Sequence, residues 1–209
     1  MKVGDLEVDP TVFSRGAPIG EEVAICVKCH GVHGSGDADF GRSARWGTPD
    51  LRGQTLSYLV RQLKAFADGH RVHAEMSALA AMMDADDRER LASYHAGAPV
   101  PAPLPESKPE PGVDPGLHAL GRLIAERGRD DARVMPCAAC HMPHGAGNGD
   151  HIPHLAGQNG DYIRAQLRAM KEGRRTTPES VVMGPVIAGL TSEEVDAVAS
   201  YYEGFLTRE

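Results

Sequence analysis

All four cysteines of this 209-residue chain fall in two copies of one pattern, CVKCH at residues 26–30 and CAACH at residues 137–141. A C-x-x-C-H segment has few uses, and this pairing leaves no thiol for a conventional structural disulfide. Three chemistries fit the spacing. Two such knuckles can together build a four-cysteine zinc site. A C-x-x-C pair can act as a redox dithiol, and C-x-x-C-H can anchor a haem. In the haem case the thiols form thioethers to the two vinyl groups and the histidine reaches the iron from the proximal side. Zinc has no need of a histidine directly after the second cysteine in both copies, and a thioredoxin-like dithiol belongs in a βαβ pattern that this sequence lacks. The doubled motif therefore favours two covalently bound haem c groups, one tethered by Cys26 and Cys29 and one by Cys137 and Cys140, with His30 and His141 as proximal ligands. Aromatic residues make up only 5% of the chain, and a flat apolar cofactor would fill an interior short of large side chains.

The motifs sit in a tandem repeat. LRGQTLSYLVRQLKAFADGHR (51–71) aligns without a gap with LAGQNGDYIRAQLRAMKEGRR (155–175), so Gln54, Tyr58, Gln62 and Arg71 fall on Gln158, Tyr162, Gln166 and Arg175. Further on, MSALAAMMDADDRERLASYH (76–95) aligns with MGPVIAGLTSEEVDAVASYY (183–202). Tyr58, Gln62, Leu63 and Phe66 recur at helical spacing, and Gly69 and Gly173 follow as C-terminal stops. Thr191 or Ser192 with Glu194 forms a capping-box signature, and Asp84 opens the matching helix of the first copy. Shorter helices are expected at 117–127 and around 11–24, ahead of each motif, and no alternating strand is evident. Residues 97–115 hold seven of the fifteen prolines and cannot be helical, because proline lacks the amide donor and clashes with the preceding turn. The expected organisation is an all-α protein: an N-terminal lobe over 1–96, a proline-rich linker over 97–115, and a C-terminal lobe over 116–209.

The sixth position of each iron decides what the cofactor can do. A thioether there raises the potential and blocks the place where a substrate would bind. Met82 aligns with Gly189, Met83 with Leu190 and Met170 with Phe66, whereas Met76 and Met183 align with each other. Repeat symmetry thus selects Met76 and Met183 as distal ligands, each expected in the loop between the apolar helix and the final helix. Met142 aligns with Gly31, Met135 with Ala24, and Met1 is terminal; none of the three has a matching methionine.

With C-x-x-C-H, P-x-L-x-G-Q, Y-x-x-x-Q-L, the G-x-R ending and MGPVIAGL before a helix ending in ASYY, the second lobe resembles a class I cytochrome c. The tandem arrangement resembles the cytochrome c4 family of dihaem electron carriers over nearly the whole chain. The resemblance implies two helical lobes with haems edge to edge, propionates facing the interface, and His/Met ligation. It also implies that a proline carbonyl, that of Pro153 and by alignment Pro49, accepts a hydrogen bond from each proximal histidine. Two departures stand out. Pro49 lies nineteen residues after His30 where Pro153 lies twelve after His141, so the stretch around 34–47, which includes Trp46, carries seven extra residues. Met142 replaces the glycine that usually follows the motif and is expected to crowd the turn. His33, His144, His151 and His154 cluster near the motifs, either as solvated or backbone-bonded groups or as a surface metal or pH-sensitive site.

The resemblance implies single-electron transfer between a donor dehydrogenase or quinol-oxidising complex and an acceptor oxidase or reductase. A haem enzyme of peroxidase or thiosulfate dehydrogenase type, and a cytochrome subunit of a larger dehydrogenase, are the alternatives. The matched methionines and the lack of a spare cysteine for thiolate ligation favour the carrier. A formal charge of −7 argues against nucleic acid as a partner. The opening MKVGDLEVDP has no apolar run of a signal peptide. Because haem attachment in bacteria follows export, the expected site is the periplasm, with a leader removed or replaced and peripheral attachment to a membrane complex compatible.

Overall fold

The computed structural model describes residues 1–4, 6–13, 19–36, 47–100, 102–131 and 133–205. Trp46 and most of the 34–47 insertion lie outside the described residues. The N-terminal lobe contains α1 (Ile19–His30), α2 (Leu56–Ala67), α3 (Ala74–Met82) and α4 (Ala85–Ala96). The C-terminal lobe contains α5 (Pro115–Arg127), the single turn α6 (Ala138–His141), α7 (Gly160–Lys171), α8 (Pro178–Ile187) and α9 (Ser192–Glu203).

Local chemistry fixes the ends of these helices. Thr55 and Asn159 accept from the amides of Tyr58 and Tyr162, capping α2 and α7 at matching positions. Both helices stop at a glycine in the left-handed region, Gly69 at φ 78° and Gly173 at φ 68°, as a Cβ-free residue there allows. The last helix of each lobe opens with a reciprocal capping box, Asp84 with Asp87 and Thr191 with Glu194. On α5, a Cβ at Gly121 would fall 1.9 Å from the Ala197 carbonyl oxygen of α9, so only glycine lets these backbones cross so closely. Below that crossing Ile124, Val195, Val198, Tyr202 and Phe205 form the core of the C-terminal lobe. Val3, Phe13, Val23, Leu79 and Leu91 form that of the N-terminal lobe.

Three features differ from the sequence expectations. The first helix runs Ile19–His30, straight through the cysteine motif, and not over 11–24. In the second lobe the equivalent path breaks after Arg127, because Gly128 at φ 73° turns the chain before Cys137. A two-residue antiparallel hairpin, Lys2–Val3 with Leu6–Glu7, covers the N-terminal core where no strand was expected. Met76 and Met183 lie in helices α3 and α8 and not in loops; Thr177 caps α8 and Pro178 occupies its first turn, a start signal that outweighs Pro185 further along. The described residues of the proline-rich stretch are non-helical as far as Asp114, and the stretch is fastened to the C-terminal lobe: Leu104 and Lys108 amides donate to the Phe205 and Gly204 carbonyls at 3.1 and 2.9 Å. Ser107 also meets His118, which in turn meets Ser200.

Candidate haem sites

Each motif is followed by the same pair of backbone clamps. His30 O accepts from Gly36 N at 2.7 Å and His141 O from Gly147 N at 2.8 Å. Gly34 O accepts from Leu51 N at 2.8 Å and Gly145 O from Leu155 N at 2.7 Å. The extra residues of the first lobe therefore enter between two fixed points and leave the geometry at the histidine unchanged. The clamps carry the P-x-L segment back over the motif, so His30 Nδ1 lies 3.1 Å from Pro49 O and His141 Nδ1 lies 3.0 Å from Pro153 O.

A carbonyl can only accept, so Nδ1 must carry the proton and Nε2 keeps its lone pair. Burial pushes the His30 imidazole down to about 4, opposed by the Pro49 contact. Burial likewise lowers His141, again against its proline carbonyl. Both rings are thus held neutral in the tautomer that a metal ligand needs. Burial raises the Cys26 thiol to about 12 and the Cys137 thiol to about 11. A reactive dithiol requires the opposite shift, so the redox-pair reading fits poorly. Among the described residues no three His, Cys, Asp or Glu side chains converge as a metal site, and the two knuckles do not meet as a zinc cluster would require.

Met142 adopts the backbone of the glycine it replaces, φ 65° and ψ 166° against 74° and 172° at Gly31. The side chain does not divert the turn; it is accommodated with strain, 40% exposed. This region of φ/ψ is nearly confined to glycine and costs on the order of 1–3 kcal/mol for other residues. Met142→Gly is expected to stabilise the haem-loaded protein by about 1 kcal/mol, the relief being partly offset by about 0.4–1 kcal/mol of added unfolded-chain entropy. Denaturant unfolding measures this, and an unchanged midpoint refutes it.

Met76 packs against the same apolar cluster as Cys26, and Met183 against the same cluster as Cys137. Met82 and Met170 also border these clusters, while Met83 is buried within the first. The remaining histidines separate. His33 stacks on Tyr94 with centroids 6.4 Å apart, and His144 meets Phe205 edge-on at 5.3 Å. His151 is exposed. His154 binds through its backbone to Gln54 of the other lobe.

The repeat-matched polar residues converge where the lobes meet. Arg71 and Arg175 form an antiparallel bridge between the copies. Arg71 donates to Gln62, Tyr162 and Gln166 at 3.0, 2.6 and 3.0 Å. Arg175 donates to Gln166, Tyr58 and Gln62 at 3.0, 3.2 and 2.9 Å. Both arginines are buried, 7% and 6% exposed, and among the described residues no carboxylate hydrogen-bonds to either. Burial alone would raise the Tyr162 phenol, yet Arg71 and Arg175 hold it below its ordinary value. Among the described residues Arg175 Nε and Gln62 Nε2 have no hydrogen-bond partner. Two buried guanidinium groups sharing Gln62 and Gln166, with a spare donor on Arg175, suit an anionic guest. Repeat matching singles out these residues, but only the pairing of the lobes gives them a shared purpose.

A profile of the cytochrome c family matches residues 19–96 and again 125–203. The "Thiosulfate dehydrogenase electron acceptor" of Thiomonas intermedia (strain K12) is 34% identical over 185 residues, covering 86% of this chain and 78% of that protein. Cytochrome c4 of Pseudomonas aeruginosa is 30% identical over 185 residues, covering 88% and 85%. Among solved structures, thiosulfate dehydrogenase (TsdBA) from Marichromatium purpuratum superimposes with a TM-score of 0.74 at 31% identity, covering 93% of this chain and 39% of that one. The chain belongs to the cytochrome c family, with two helical domains in tandem. Such domains carry covalently attached haem c, and the double match makes this a dihaem protein similar to cytochrome c4. The residues fit the group: neutral imidazoles, Cys26 and Cys137 half-buried against apolar clusters with Cys29 and Cys140 exposed beside them, and an interlobe arginine pair with a spare donor for an anionic substituent.

Proposed function

We propose that this chain is a periplasmic carrier of single electrons that takes them from a thiosulfate-oxidising dehydrogenase and passes them to a further redox protein. Cys26, Cys29, Cys137 and Cys140 tether the haems. His30 and Met76 ligate one iron, His141 and Met183 the other, and the Pro49 and Pro153 carbonyls orient the histidines. Bound haem supplies the ferric–ferrous couple; the protein supplies ligands, burial and orientation. The observation that carries this reading is the likeness of the two proximal arrangements, 3.1 and 3.0 Å from histidine to proline carbonyl. A repeat-matched methionine accompanies each. An enzyme would need one lobe to differ, with an open or labile position for its substrate. The donor class follows from the relative in Thiomonas intermedia, which is described as the electron acceptor of a thiosulfate dehydrogenase.

Spectroelectrochemical titration should give two one-electron midpoints, a near-red ferric band from thioether ligation, and no reaction with carbon monoxide. Mixing with thiosulfate should leave the protein oxidised until a thiosulfate dehydrogenase is added, whereupon both haems reduce. Thiosulfate consumption by this chain alone with an artificial acceptor would replace the carrier reading with the enzymatic one.

A further inference from the structure

Gln54 and Gln158 are matched in the repeat, 7% and 5% exposed, and take no part in the arginine cluster. Each reaches across to the opposite lobe. Gln158 accepts from Asp50 N at 2.8 Å through Oε1 and donates from Nε2 to Asp50 O at 2.8 Å. Gln54 donates from Nε2 to His154 O at 2.8 Å and accepts from His154 N through Oε1 at 3.2 Å. Each side-chain amide thus satisfies both backbone groups of one residue in the other lobe.

The residues they hold matter more than the bonds themselves. The Asp50 N–H belongs to the same peptide group as the Pro49 carbonyl, and the His154 N–H to the same group as the Pro153 carbonyl. A continuous chain therefore runs from His30 Nδ1–H to Pro49 O, through that peptide, and from Asp50 N–H to Gln158 Oε1. Its mirror image runs from His141 Nδ1–H through the Pro153–His154 peptide to Gln54 Oε1. A peptide group is a resonant unit. An acceptor on its N–H shifts electron density to its oxygen and strengthens the bond that the oxygen accepts.

We propose that Gln54 and Gln158 are crossed positioning residues: each tunes the proximal histidine of the lobe to which it does not belong. Gln158 makes Pro49 O a better acceptor, His30 becomes more electron-rich, and the ferric state of the N-terminal site gains stability. Gln54 does the same for His141. The pairing also gives each lobe a reason to dock in one register, since a displaced interface would leave four part-buried backbone groups without these partners. This inference rests on His30 and His141 being the proximal ligands.

Gln158→Leu should raise the midpoint of the N-terminal haem by about threefold in its redox equilibrium, about 30 mV at 59 mV per decade for one electron. The C-terminal midpoint should stay near its original value; Gln54→Leu should give the converse. The two midpoints are assigned to their lobes with the Met76 and Met183 variants described below. A shift confined to the lobe carrying the substitution, or no shift in either, overturns the proposal. Haem content and the near-red band are read on the same samples. If they are intact while the crossed shift is missing, tuning fails and the ligand reading stands. If His30→Ala and His141→Ala leave both unchanged, the ligand reading fails. Should either leucine variant not assemble, the wild-type ferrous protein supplies the second measurement. A through-hydrogen-bond coupling from the Asp50 amide nitrogen to the Gln158 side-chain carbonyl is expected in its spectrum, and its absence overturns the proposal.

Discussion

Met183→Leu is expected to lower the midpoint of the C-terminal haem by on the order of 0.1–0.3 V, a substantial part of the roughly 0.8 V that axial ligands span. The same variant should lose half of the near-red band and bind carbon monoxide at one iron per chain. Met76→Leu should do so for the other haem. A thioether is a soft donor that stabilises the ferrous state, and leucine fills a similar volume without a lone pair. Because volume-conserving apolar exchanges in a core cost under about 1.5 kcal/mol, folding should survive and the redox effect should stand apart from damage to the lobe. Met170→Leu and Met82→Leu are the controls. Both residues border the same apolar clusters as the proposed ligands. A drop in potential on replacing Met170 or Met82, with none on replacing Met183 or Met76, would reassign the distal position.

The distinction between these methionines shows what the sequence makes legible. Periodicity places α2 and α7 correctly because one face of each meets a core, and their caps and glycine stops are local chemistry. The alignment of Pro49 with Pro153 anticipates a contact across nineteen residues, because the backbone clamps after the motif absorb the insertion downstream of Gly36. Helices α3 and α8 are harder to see: their apolar residues are spread around the axis, and Pro185 reads as a breaker although Thr177 caps the start. The docking of the proline-rich stretch onto α9 depends on buried partners, His118 and Ser200, that carry no pattern. Interlobe contacts are the least legible. Gln54 and Tyr58 recur at fixed places in both copies, yet a repeat match says that a residue has a role, not that its partner lies in the other copy.

Arg175→Leu or Arg71→Leu should destabilise the haem-loaded protein by about 3–5 kcal/mol, the range for leaving one member of a buried ion pair uncompensated. The size follows from the geometry. Both guanidiniums are more than nine-tenths buried, each bonds to tyrosine and glutamine side chains from both lobes, and no carboxylate among the described residues hydrogen-bonds to them. Two positive groups so placed repel each other; the Glu179 carboxylate acts on Arg175, and haem propionates turned to the interface would supply further anions. If the propionates meet this pair, removing one cation also takes positive charge from the haem edge, which stabilises the ferric state, and both midpoints should fall. Arg175→Lys keeps the charge but loses the planar fork, and should retain most of the potential while losing part of the stability. Differential scanning of the oxidised protein measures the first quantity and redox titration the second. A leucine variant as stable as the parent, with unchanged midpoints, would mean that the pair faces no bound anion and that the propionates lie elsewhere. A loss of stability with unchanged midpoints would restrict the arginines to holding the lobes together, because a cation at the haem edge cannot be removed without moving the redox equilibrium.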